Sequence, residues 1–279
     1  MSVHQRVLER PTEAANLGSH ELNELLIEAA KVFDEEPPLI EVNGGKVLFV
    51  GDTHGDLRSS LSAFAKGAEA WIFLGDYVDR GPMQLENIIF LLAKKLEQPD
   101  RVYMLRGNHE SPLTNAYYGF LDEVVGRFGR SLYSRFVEVF SRMPYAALVN
   151  GSIFAVHGGV ARGLKKLEAV ERLPKPDEIP RNPTAFELLW NDPREDVTGF
   201  EPSPRGPGIY LFGRDVFEGF AEANGIALMV RAHEYFPNGV HEYFGGRVIS
   251  LFSCRYYPST TPRGLLITSS GYRAVDLDF

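Results

Sequence analysis

At 279 residues, 44% hydrophobic and 24% charged, the chain is long enough to bury a full core and sits at the upper end of one domain. Its 29 basic and 37 acidic residues leave a net charge of −8, which excludes the basic footprint a duplex nucleic-acid binder needs. A single cysteine, Cys254, excludes an internal disulfide and fits a reducing, cytoplasmic setting; no signal peptide and no apolar run of membrane-spanning length is apparent.

In chain order, residues 1–18 read as loosely structured. Leu22, Leu25, Leu26, Ala29, Val32 and Phe33 then repeat at helical spacing, with Ser19 as N-cap and Pro37-Pro38 as the stop. Residues 1–38 are therefore expected as a helical extension of one domain spanning 1–279. The apolar stripe has two outcomes, a partner surface or the commoner packing on its own domain. Further helices are expected over Leu57–Ala68, Leu85–Leu92 and a stretch near 115–142. Residues 171–210 are rich in proline and charge, with only Phe186–Trp190 helical in pattern; they read as a functional loop or a solvated connection. Val240–Phe244, Arg247–Phe252, Gly264–Thr268 and Tyr272–Leu277 read as strands turned at Gly245-Gly246 and Ser270-Gly271. They are expected to pair antiparallel as a second sheet.

Between these elements one pattern recurs five times: a short apolar run ends and metal-ligand residues follow at once. Val47–Val50 runs into Gly51-Asp52-Thr53-His54-Gly55-Asp56, and Trp71–Leu74 into Gly75-Asp76-Tyr77-Val78-Asp79-Arg80-Gly81. Val102–Leu105 runs into Arg106-Gly107-Asn108-His109-Glu110, Ile153–Val156 into His157-Gly158-Gly159, and Ala227–Val230 into Arg231-Ala232-His233-Glu234. Runs without polar alternation are strands covered on both faces, and ligands sit beyond the carboxyl ends of such strands. Asp52 and His54, two apart on an extended backbone, share a face. Any one of these histidines alone would read as a satisfied imidazole, and that reading is kept for His4, His20 and His241. Five concordant strand ends are another matter.

At these residues the chain resembles the metallophosphoesterases, and within them the PPP-type serine/threonine phosphoprotein phosphatases, marked by GDxHG, GDxVDRG, GNHE, HGG and RAH. The likeness runs from about Val47 to the C-terminus. It includes Thr114–Phe120, Leu188–Pro193, Arg205-Gly206 before Phe212-Gly213, and Leu251-Phe252-Ser253. The resemblance implies an α/β fold, a metallophosphoesterase-type two-sheet mixed β-sandwich flanked by helices. It implies two divalent metal ions, the first held by Asp52, His54 and Asp76, the second by Asp76, Asn108, His157 and His233. A shared carboxylate offsets the repulsion of two cations at about 3.5–4 Å. The mixed oxygen and nitrogen donors suit Mn²⁺, which is favoured here, or Fe²⁺ or Zn²⁺, rather than Ca²⁺.

The expected activity is hydrolysis of phosphoserine and phosphothreonine, with phosphotyrosine as an extension, in proteins, by direct attack of a hydroxide held by both metals. Arg80 and Arg205 are expected to clamp phosphate, since guanidinium pairs bidentately with its oxygens. Asn108, His109 and Tyr257 are expected beside it. His109 is the candidate general acid and Asp79 the carboxylate that orients it and raises its pKa. Arg106 and Glu110 are expected to brace or rim the site, Tyr118 to line the substrate groove, and Asp192 to bond a motif group. The partners are phosphoprotein substrates, with neither nucleic acid nor membrane.

The chain departs from eukaryotic relatives after Leu-Phe-Ser. There Ala-Pro-Asn-Tyr is usual, and here Cys254-Arg255-Tyr256-Tyr257 stands, so Arg255 either adds a cation to the pocket or points to solvent. Ala116 stands where some relatives carry arginine. The alternative reading is a diadenosine polyphosphate hydrolase on the same fold, whose members read GNHD where Glu110 stands here. A catalytically silent phosphate-binding module would need a broken ligand set, and none of the six ligand positions is missing.

Overall fold

The computed structural model describes residues 1–278. Its strands in chain order are β1 (Leu39–Val42), β2 (Lys46–Val50), β3 (Ala70–Phe73), β4 (Val102–Met104), β5 (Ala146–Val149), β6 (Ile153–Val156) and β7 (Asp192–Pro193). There follow β8 (Phe200–Pro202), β9 (Tyr210–Phe212), β10 (Leu228–Arg231), β11 (Val240–Tyr243), β12 (Val248–Leu251), β13 (Arg263–Thr268) and β14 (Gly271–Asp276). One six-stranded sheet runs β1-β5-β6-β10-β12-β11, a five-stranded sheet runs β14-β13-β2-β3-β4, and β7-β9-β8 form a small third.

The two large sheets pack face to face, and alternation along each strand decides what lies between them. Val47, Phe49 and Ile72 of one sheet meet Ala147, Ala155, Val230 and Ile249 of the other in the inner core. Their neighbours Leu48, Val50, Trp71 and Phe73 point the other way, under the helices Ser19–Glu35 and Gln84–Glu97. Phe154, Val156 and Met229 do the same on the far face, under the helices Pro183–Trp190 and Arg214–Asn224. With both faces covered, the motif-bearing strands read as unbroken apolar runs. The result is the mixed two-sheet sandwich flanked by helices. No helix among the described residues is long and apolar enough to cross a membrane.

Four expectations change. Residues 1–18 are ordered: helix Val3–Glu9 is closed by a capping box between Ser2 and Gln5, and a 3₁₀ turn covers Pro11–Asn16. Val7, Ala14 and Ala15 are buried where this segment docks on Gln84–Glu97, which a single short apolar stripe did not announce. The second helix is capped at Gly18, not Ser19, because the Glu21 carboxylate reaches back to the Gly18 N–H at 3.1 Å. Its stripe packs inward, with Leu22, Leu25, Leu26, Ala29 and Phe33 all buried.

The stretch near 115–142 is three helices, Pro112–Asn115, Phe120–Phe128 and Arg130–Ser141, broken where Gly119 and Gly129 take positive φ of 116° and 85°. The four C-terminal strands do not form a sheet of their own. The β11–β12 hairpin joins the six-stranded sheet and the β13–β14 hairpin the five-stranded one. Strands β1 and β5, which pair in parallel, lacked an alternating pattern to mark them.

Candidate metal centre and active-site cleft

The five motif strands divide between the sheets, β2, β3 and β4 in one and β6 and β10 in the other. Their carboxyl ends meet at one edge of the sandwich. There the sheets are sewn together by a parallel bridge between Asp52 and Phe252 and by Ser253 N–H donating to the Asp52 carbonyl at 3.0 Å. An open cleft of about 420 Å³ lies over this edge, lined by nine of the eleven site residues proposed from sequence, together with Thr114, Tyr118, Trp190, Tyr235 and Phe252. The exceptions, Asp79 and His157, are fully buried beneath the cleft surface.

The backbone is bent hard to bring these side chains together. His54, Asp76, Asp79, Arg80 and His233 all hold positive φ, from 39° to 71°, a region that costs non-glycine residues roughly 1–3 kcal/mol each. Two backbone bonds hold the first bend, from Thr53 and His54 N–H to the Asp76 carbonyl at 3.1 and 2.9 Å. Glu110 holds the second: its carboxylate accepts from the N–H groups of Asp76 (2.7 Å), Tyr77 (2.9 Å) and Gly107 (3.0 Å). Gly107 is required here, because a Cβ would overlap the Asp76 carboxylate.

Two donor groups share Asp76. The ligating atoms of Asp76, His157 and His233 lie within 4.8 Å of one another, as do those of His54, Asp76 and His109. Asp52 flanks the second group, with its carboxylate 3.9 Å from His54 Nε2. His54 and His157 each turn Nδ1 to a backbone carbonyl, Val78 and Leu74, both at 2.8 Å, which leaves Nε2 as a lone pair facing the cluster. Asn108 Oδ1 sits 2.9 Å from His157 Nε2 and 3.0 Å from His233 Nδ1, and the two ring nitrogens are 3.2 Å apart.

Three lone-pair atoms converging in this way want a cation at their centre. Without one, turning the Asn108 amide would satisfy them better. The donor set therefore fits divalent metal ions. His109 lies within ligand distance, a placement the resemblance did not imply, yet its Nδ1 is held by the Asp79 carboxylate at 2.5 Å. Asp79 also accepts from Phe120 N–H at 2.9 Å.

Charge in the pocket is set by burial first. Burial, aided by neighbouring Asp76, pushes Asp52 up to about 7. Burial and then the His109 charge push His54 down to about 3, and burial and then Arg205 hold His233 well below the usual imidazole range. Both rings are thus neutral, the form that binds metal. For His109 burial works downward, but the Asp76 charge and the hydrogen bond to Asp79 outweigh it and leave it above its ordinary value.

Arg80 stands between two aromatic rings, 4.9 Å from the Tyr118 centroid and 5.8 Å from that of Tyr257, and donates to the Tyr257 hydroxyl. Arg205 donates through Nε to Asp192 at 2.7 Å. Asp192 also accepts from the buried Arg231 at 2.7 Å, so it is the shared anchor of the two arginines. Of the two places expected for Arg106 it takes the bracing one: it is buried and bonds the carbonyls of Glu110, Asp177 and Glu178. One softer expectation is corrected. Arg255 neither enters the pocket nor points to solvent. It turns back to Asp56 at 2.9 Å and Asp278 at 2.7 Å, where two carboxylates outcompete water. Cys254 is buried and its thiol pushed up to about 12 by burial, which makes it an unreactive packing residue. Tyr235 was missed in the sequence, as nothing in its spacing marks it.

Residues 45–237 match the calcineurin-like phosphoesterases. A protein serine/threonine phosphatase from Saccharomyces cerevisiae, described as similar to human phosphatase PP5, superposes with a TM-score of 0.88 at 26% identity. The match covers 94% of this chain and 90% of that one. A cold-active protein-tyrosine phosphatase of a psychrophilic Shewanella species shares the fold at a TM-score of 0.60 and 17% identity, over 89% and 82% of the two chains. The chain belongs to the calcineurin-like phosphoesterases. Within that metallophosphoesterase superfamily it is of the PPP phosphatase type, a phosphoester hydrolase.

Proposed function

We propose that this hydrolase acts on phosphoserine and phosphothreonine monoesters in proteins, with phosphotyrosine as a further substrate, and uses two divalent metal ions, Mn²⁺ by preference. The observation that carries the reading is the shared position of Asp76 between two donor groups, with the His109–Asp79 pair and Arg80 at the same cleft. Asp52, His54 and Asp76 would hold one ion; Asp76, Asn108, His157 and His233 would hold the other. When bound, the pair supplies a water acidic enough to attack near neutral pH and neutralises developing charge on the phosphoryl oxygens.

The chain's own groups do the rest. Arg80 and Arg205 orient the phosphoryl oxygens beside Asn108 and the Tyr257 hydroxyl. His109 donates the proton that the leaving alkoxide needs, and Asp79 fixes its tautomer and keeps it charged. The yeast serine/threonine phosphatase likeness and Glu110 in the third motif support this substrate class. A cytoplasmic setting and phosphoprotein partners follow from the same reading, with neither nucleic acid nor membrane among them.

The test is metal-dependent turnover after chelator stripping and Mn²⁺ addition, with phosphothreonine and phosphotyrosine peptides and diadenosine tetraphosphate side by side. Release of inorganic phosphate from the phosphothreonine peptide is expected. Preference for the dinucleotide would replace the substrate, and metal uptake with no turnover of any of them would replace the enzyme with a binding module.

A further inference from the structure

We propose that Tyr235 is a positioning residue: it clamps Tyr257 over the cleft and so sets how Arg80 meets the phosphoryl group, a role that rests on the phosphomonoester reading above. Tyr235 is 39% exposed, yet both ends of its side chain are engaged. Its ring stacks on Tyr257 at 5.3 Å between centroids and 26° between planes, and meets the edge of Phe252 at 5.5 Å. Its hydroxyl donates to the Pro258 carbonyl, one residue past Tyr257. Tyr257 in turn stacks over His54 at 6.1 Å and 25°, and its hydroxyl accepts from Arg80. The rings of Tyr235, Tyr257 and His54 therefore form a continuous pile from solvent to the metal-ligating floor.

The two ends of this contact are unequal. Tyr235 rises from a braced segment: His233 N–H donates to Asp52 at 2.9 Å, and the Glu234 carboxylate accepts from Arg231 at 2.9 Å and Arg194 at 2.8 Å. The loop carrying Tyr257 is anchored at its two roots, by Arg255 on Asp56 and by Thr261 N–H on the Pro237 carbonyl at 2.8 Å. Between them, apart from the bonds from Tyr235 and Arg80, the hydrogen bonds are local, from Thr260 to the Tyr257 carbonyl at 3.3 and 3.0 Å. A rigid residue stacked on a loop with few anchors of its own holds the loop, not the reverse. Offset stacking plus one hydrogen bond is enough to keep a single orientation of Tyr257 dominant. The effect belongs to binding: the orientation of Arg80 is made before the chemical step and kept through it, so its loss raises KM and leaves kcat nearly alone.

The experiment uses the metal-loaded full chain and para-nitrophenyl phosphate, a monoester that asks nothing of a protein substrate. Tyr235→Ala is expected to raise KM roughly 5- to 10-fold with kcat within about threefold, and Tyr235→Phe, which keeps the stack, to raise it less. Tyr235→Ala on top of Tyr257→Ala is expected to add nothing, because the clamp then has nothing to hold. Hydrogen exchange of residues 255–260 should rise in Tyr235→Ala while bound metal stays at the parent level. Additive losses in the double variant, an unchanged KM, or unchanged exchange in that segment would each overturn the clamp. Loss of metal would show that Tyr235 acts through His233 instead. Should the parent turn over no phosphomonoester, the functional reading fails, while the exchange measurement still decides whether Tyr235 holds the loop; Tyr235→Phe serves if the alanine variant does not fold.

Discussion

Replacing Asp79 by Asn removes a charge and almost no volume, and the structure says what that charge does. One carboxylate oxygen holds His109 Nδ1 at 2.5 Å and the other accepts from Phe120 N–H at 2.9 Å, both buried. An amide has one oxygen for these two donors, so one of them meets an NH₂ group. A hydrogen bond to a charged partner contributes about 1.5–3 kcal/mol against about 1 for a neutral one. The difference of about 1–2 kcal/mol corresponds to roughly one pKa unit. Because Asp79 helps lift His109 above its ordinary value, its removal lowers that pKa. The proton is then lost at lower pH, and the alkaline limb of kcat/KM moves down by roughly one unit. A positioned general acid is worth about 10²–10⁴-fold. Loss in that range is expected for a phosphothreonine peptide, whose alkoxide must be protonated, and under about tenfold for para-nitrophenyl phosphate, whose phenolate leaves unaided. The assay measures both substrates on one metal-loaded preparation across the neutral range, with bound metal quantified. His109→Ala should show the same asymmetry. Equal losses on the two substrates, or an alkaline limb that does not move, would refute the assignment of His109 as the acid.

Asp192→Ala should free Arg205 and leave Arg231 one acceptor short. A roughly tenfold rise in the inhibition constant of inorganic phosphate and a stability loss of about 1–3 kcal/mol in urea unfolding are expected. Because burial and Asp76 hold the Asp52 proton up to about 7, metal must displace that proton. Mn²⁺ affinity should therefore fall as pH drops below about 7, with proton release visible by calorimetry in buffers of different ionisation enthalpy. Gly107→Ala places a methyl against the Asp76 carboxylate and should abolish metal uptake, measured by elemental analysis, in a chain that still folds.

Much of the site is legible before folding because strand ends carry their own signal. A buried strand must be apolar on both faces, so the polar residue that follows marks where the strand leaves the core, and Asp52, Asp76, Asn108, His157 and His233 each stand at or just beyond such a mark. Tyr235 carries no such mark. Its part rests on a loop some twenty residues away in the chain, and no local period encodes a contact of that range. Asp192 and Arg205 belong to a segment of short strands and turns whose path is set by what it packs on.

Local pattern, by itself, determined the apolar strands, the ligand types at their ends, the acidic balance and the family. The tertiary structure alone decided that the motif strands belong to two sheets instead of one crevice in an open sheet. It also decided that the C-terminal hairpins split between those sheets and that Arg255 folds away from the pocket. Those choices depend on which surfaces are buried together and which carboxylate an arginine reaches first. Such long-range competitions are settled only when the whole chain has condensed.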